Sequence, residues 1–189
     1  MAKRLARDRP APPGPGRRRA ASPTPAPAGA APTARGALTW RQLVTSLACL
    51  LGVGVATYLT ISHYSSSSLT CPFGGTGAID CAKVTTSPES FVFGIPVAVL
   101  GLAFFVPMLA LCLPMAWRSA NRYVAPLRLA SAVVSIGFVF YLVHAELFVI
   151  HAICIWCTAV HVLTFVVFVA VVTGWDEARE PYRERLEAA

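Results

Sequence analysis

The stretch 153–173, ICIWCTAVHVLTFVVFVAVVT, runs for 21 residues without one Asp, Glu, Lys or Arg. A helix crosses the hydrocarbon core of a bilayer with roughly 20 predominantly apolar residues. This stretch is therefore predicted to span a membrane. Three more stretches of the same kind lie upstream, at about 126–147, about 93–116 and about 41–63. Pro107 and Pro114 fall inside the second, where neighbouring helices can re-satisfy the freed backbone groups. Alternating segments of roughly ten residues, the mark of a membrane barrel, do not occur. The expected fold is an all-α membrane protein. It is a four-transmembrane-helix bundle over residues 37–174, with an extracytoplasmic loop carrying a short helix.

Composition agrees with this. Of 189 residues, 56% are hydrophobic and 13% charged, against roughly 25% charged in soluble domains. Residues 1–36 stand apart, with 8 of the 15 prolines and the run Arg17-Arg18-Arg19. They cannot bury enough apolar surface to offset ordering entropy, so a disordered cytoplasmic tail is expected. A twin-arginine export signal would need an apolar core directly after the arginines, and Ala, Ser, Pro and Thr stand there instead. A nucleic-acid-binding arm would need aromatic residues and a folded reader, so no nucleic-acid partner is expected. Residues 175–189 read as a cytoplasmic C-terminal tail.

The net charge of +7 becomes a statement about orientation. Nine Lys/Arg lie at or before Arg41, three around the second connection (Arg118, Arg122, Arg128) and three after the last span (Arg179, Arg183, Arg185). Lys83 alone lies in the first connection, and none lies in the third. By the positive-inside rule both termini face the cytoplasm. Residues 64–91 and the turn at His151 then face the oxidising side.

Four of the six cysteines fall on that outer side: Cys71 and Cys81 in the long loop, and Cys154 and Cys157 as Cys-Ile-Trp-Cys where the last span begins. A thiol at a helix N-terminus loses its proton more easily, and the short spacing allows a reversible disulfide. Zinc is the alternative for such a motif, with Cys71, Cys81, His151 or His161 as further ligands. The spacing does not match a usual second zinc knuckle, and no metal is expected. A purely structural Cys71–Cys81 bridge is the other alternative. One pair in a loop and one at the membrane boundary suit a relay by thiol–disulfide exchange. Cys49, on the order of 20 Å below the outer surface, and Cys112 are expected to be inert packing residues.

Here the chain resembles the vitamin K epoxide reductase family in its bacterial form. The resemblance covers roughly residues 40–174. It rests on Asp80-Cys81-Ala82-Lys83-Val84, Ser87, Phe93-Gly94-Ile95-Pro96, Gly101 and Cys154-Ile-Trp-Cys157, in that order. It implies redox disulfides Cys71–Cys81 and Cys154–Cys157, with a transient Cys81–Cys154 bridge between them. It also implies that Cys157 stands nearest a membrane quinone, menaquinone or ubiquinone. Electrons would come from a separate, secreted, DsbA-like thioredoxin-fold protein, since no thioredoxin-like domain is fused after the last span. The implied location is the plasma (inner) membrane of a bacterium, and the composition points to a high-GC genome.

Three further residues are expected beside the quinone. Ser87 matches the serine of the family motif and offers a hydroxyl to a thiolate or a quinone oxygen, but Ser87-Pro88 is equally a helix N-cap. His161 shares a helix face with Cys154 and Cys157, and is equally read as a polar residue packing between helices. Glu146 is an acid near the outer end of the third span, where ionisable residues are functional by default; the alternative is a solvated acid at the interface. With His144 or His151 it offers a proton route. Asp80 either restrains Cys81 by its charge or shapes the turn. Two other functions compete: a four-helix transporter or assembly subunit with structural disulfides, and a vitamin K epoxide reductase proper.

Overall fold

A computed structural model describes residues 38–65, 69–71 and 78–189. The expected disorder of residues 1–36 lies outside them. Helix α1 covers Trp40–Tyr64. It starts where Thr39 accepts from the Gln42 N–H and stops where the Ser65 hydroxyl donates to Ile61 O, 2.6 Å away. After the loop come α2 (Cys81–Thr86), a 3₁₀ turn (Pro88–Ser90) and a two-stranded hairpin, β1 (Phe91–Val92) and β2 (Ile95–Pro96). Helix α3 (Val97–Cys112), the single turn α4 (Pro114–Trp117), α5 (Val124–His144), α6 (Ile155–Thr173) and α7 (Trp175–Glu187) complete the chain.

Three helices are long and apolar enough to cross a membrane: α1, α5 with its continuation to Ile150, and α6. Several of their hydroxyl side chains bond the backbone of their own helix, while Ser46 donates across to Cys112 O of α3 at 2.8 Å. Thr57 donates to Val53 O, Thr60 to Ala56 O and Thr164 to Val160 O, at 2.7, 2.7 and 2.9 Å. Leucines and phenylalanines such as Leu47, Leu50, Phe140 and Phe165 project outward from them.

The stretch expected to span the membrane over 93–116 is shorter than that. Phe91↔Pro96 and Val92↔Ile95 pair as a hairpin. Its two central residues, Phe93 and Gly94, both take positive φ (52° and 79°), the backbone of a tight primed turn. The helix therefore begins only at Val97. It ends at Cys112 because Leu113, which precedes a proline, takes an extended backbone (ψ 147°). At 16 residues α3 is about 24 Å long.

The core lies where α1 packs on α3 and α6. Cys49, Phe105, Cys112, Ala132 and Val167 are wholly buried there. A side chain at Gly52 would run into the Phe105 ring, so only glycine permits this approach of α1 to α3. Cys49 and Cys112 meet inside this core. At the end of the bundle away from the other cysteines, Arg128 lays its guanidinium 3.8 Å over the Trp117 ring. Residues 175–189, expected as a tail, are largely the helix α7. Its Ala178 and Trp175 pack on Trp117 and Ala125, while Glu177 pairs with Arg41 at 3.4 Å.

Candidate active site: two cysteine pairs above an apolar cavity

The geometry begins with how α5 ends. Its last turn widens into a π-helical turn, Ala145–Ile150, closed by His151 in the left-handed conformation (φ 52°). The Ala152 N–H returns to Glu146 O at 3.1 Å. The chain then runs extended through Ile153 to Cys154, which caps α6. The Cys157 N–H donates to Cys154 Sγ at 3.4 Å. This is the position where a helix N-terminus favours negative charge, so the thiolate of Cys154 is stabilised.

The extended segment is also what joins the two cysteine pairs. Ile79 and Ile153 form a parallel backbone bridge, with Ile153 N–H on Ala78 O (2.8 Å) and Asp80 N–H on Ile153 O (3.2 Å). Asp80 then caps α2 by accepting from the Lys83 N–H at 2.9 Å, so α2 begins at Cys81. Cys81 and Cys154 are thereby buried in one cluster with Val84, Ile150 and Ala152. Cys81 is bonded to Cys71, whereas Cys154 and Cys157 are free thiols. The Trp156 indole holds the loop from the other side. Its Nε1–H donates to Thr70 O at 3.0 Å, and its ring lies 5.0 Å from that of Tyr58.

Beneath the pairs is a cavity of about 530 Å³. Leu59, Phe104, Val134, Phe138 and Leu142 give it an apolar wall, and Cys157, His161 and Glu146 place polar atoms in it. Cys154 does not line it. Glu146 and His161 are both buried, and the Glu146 carboxylate faces the Cys157 thiol and the Cys154 N–H. His144, by contrast, is exposed and stacked on Phe148 at 5.0 Å.

Ser87 is placed differently from the other expected residues. Its hydroxyl turns back to donate to Val84 O at 2.9 Å, and it precedes the 3₁₀ turn without making a side-chain cap bond. It is not among the residues lining the cavity, whereas Thr85, Glu89 and Ser90 are. His63 at the end of α1 lines it too. None of these four is marked by spacing or by motif. The nearest signal is that Glu89 and Ser90 continue the Ser87-Pro88 cap. Among the described residues, no group of three or more His, Cys, Asp or Glu side chains is disposed to hold a metal ion.

A pair of free thiols at a helix start, Cys154 buried and Cys157 half-buried, lies with a bonded pair seated on it and an apolar chamber beside it. Comparison with curated proteins finds no match. The family model described as "Vitamin K epoxide reductase family" matches residues 43–172, which contain all four of these cysteines, the described lining of the cavity and all but the outermost residues of the three long apolar helices. The chain belongs to the vitamin K epoxide reductase family.

Proposed function

We propose that the protein reoxidises a secreted, DsbA-like thioredoxin-fold partner and passes the electrons to a membrane quinone, so sustaining disulfide formation outside the cell. One observation carries this: the Ile79–Ile153 bridge seats the loop pair on the helix pair, and only the inner member of the helix pair, Cys157, opens onto the cavity. Family membership supports the coarser statement, a membrane oxidoreductase.

The steps balance as thiol–disulfide exchange. A partner dithiol reduces Cys71–Cys81. The Cys81 thiolate attacks Sγ of Cys154 in the Cys154–Cys157 disulfide, forming Cys81–Cys154 and releasing Cys157. Cys71 then attacks Cys81, restoring the loop disulfide and releasing Cys154 as a thiolate, which its helix-cap position favours.

The cavity suits a quinone in volume and in lining. About 530 Å³ lies within the roughly 300–1,000 Å³ of small-molecule sites, and an apolar wall with a few polar groups at one end suits a flat ring with two oxygens. A bound quinone supplies a two-electron, two-proton sink. Cys157 would deliver the electron pair, and His161 and Glu146 would meet the ring oxygens. Menaquinone and ubiquinone both satisfy these demands. The charge distribution supports four crossings with α3 as the second, both termini inside a bacterial plasma membrane and the cysteine pairs outside. The test is thiol trapping in membranes. With Cys157→Ala, the Cys154 thiolate attacks Cys81 of the loop disulfide and releases Cys71, so the Cys81–Cys154 adduct should accumulate and partner oxidation should cease. Replacement of all four outer cysteines without effect on partner oxidation would remove the proposal.

A further inference from the structure

Glu146 has a place that quinone chemistry alone does not explain. Among the described residues it alone lines both the large cavity and a second, smaller pocket of about 210 Å³. That pocket is bordered by Ala78, Ala152, Ile153 and the exposed His151, all in the segments that join the two cysteine pairs. Glu146 lies in the π-helical turn, a distortion that recurs at functional sites. Its side chain is 7% exposed. Among the described residues, no Lys or Arg lines either pocket to neutralise it. A buried acid without a counter-ion is retained for a purpose more often than by chance.

From this placement we infer that Glu146 is the proton-transfer residue linking the outer pocket to the cavity, taking protons from Cys157 and from water beside His151 and delivering them inward. The inference rests on the quinone proposal for the cavity. Let Cys154 start as thiolate and Cys157 as thiol. Closing the Cys154–Cys157 bond releases one electron pair and one proton, and quinone takes up the pair with two protons. The first proton comes from Cys157, which the carboxylate faces. The second must enter from solution, and the small pocket is the space that reaches Glu146 from that side. The other titratable groups facing these spaces are Cys157, His161, His151, His63 and Glu89, and Cys154 lies next to the carboxylate outside the cavity. His151 stands at the entry, whereas His144 lines neither space, so the structure favours His151 over His144 for the route.

The test compares Glu146→Gln and Glu146→Asp with the unaltered full-length protein in membranes. Glu146→Gln should slow quinol formation about a hundredfold, the scale of a lost general acid, while the Cys81–Cys154 adduct still accumulates in a Cys157→Ala background. Glu146→Asp should recover part of the rate. A second readout needs no quinone. The infrared difference between oxidised and reduced Cys154–Cys157 should contain a carboxylic-acid band that vanishes in Glu146→Gln. An absent band, or quinol formation within about twofold of normal in Glu146→Gln, overturns the inference. Loss of adduct and quinol together with the glutamine, unrelieved by the aspartate, assigns Glu146 a structural role and also overturns it. If the unaltered protein makes no quinol but the Glu146 band is present, the quinone proposal fails and the proton exchange between Glu146 and the thiols stands.

Discussion

Cys157 and Cys154 differ by one turn of helix, yet only Cys157 faces the cavity, while Cys154 is sealed against Cys81. That division gives each thiol one partner, and it explains why the intervening residues matter. Trp156 ties the loop down through its bond to Thr70 O. Trp156→Phe keeps the ring and removes the donor, at a cost of about 1 kcal/mol. Quenched thiol trapping should then show transfer from the loop pair to the helix pair slowed about fivefold, with Cys157→Ala adduct yields unchanged at long times. Asp80 acts on the same exchange by capping α2. Asp80→Ala should lower the unfolding free energy by about 1 kcal/mol, and Asp80→Ser should restore most of it, measured by thermal melting in detergent. The gathering of the four cysteines at one end of the long helices was legible in the sequence, because the apolar runs put both pairs in connections between helices. The direction of Ser87 was not. It depends on how the last turn of the six-residue α2 closes, and that turn draws the hydroxyl onto Val84 O.

At the scale of elements, the apolar runs foretold the helices but not their ends. The run over 93–116 lost both ends to local backbone chemistry. A hairpin with two left-handed residues holds the first four positions out of the helix, and the residue before Pro114 refuses the helical conformation. Conversely, the run expected to end at 147 continues to Ile150 through a π turn. Hydropathy cannot signal such a turn, because it changes hydrogen-bond register and not composition. The seam between α1 and α3 depends on Gly52 lying against Phe105. Gly52→Ala should cost about 1–3 kcal/mol through overpacking, seen as a lower melting temperature in detergent. Adding Phe105→Leu should return part of the loss. Equal melting of Gly52→Ala and the unaltered protein would show that the seam is looser than described.

For the whole molecule, the charge distribution and the site make one claim together. Fifteen of sixteen Lys and Arg residues fall on the side predicted to be cytoplasmic, and the cysteine pairs gather at the opposite end of the helices. Alkaline phosphatase fused after His151 should therefore be active, and the same enzyme fused after Ala189 inactive. The helix α7 at the far end is not signalled in the sequence because its charges look like a solvated tail, while Trp175, Ala178 and the Glu177–Arg41 pair anchor it to the bundle. The central claim is a relay in which both pairs carry the same electrons to quinone. The most direct measurement mixes the purified, reconstituted protein with a reduced thioredoxin-fold dithiol and a quinone, and counts both products. The account predicts quinol and partner disulfide in equal amounts, with both lost in Cys81→Ala and in Cys157→Ala. Quinol formation that persists without Cys157, or partner oxidation that yields no quinol, would contradict it.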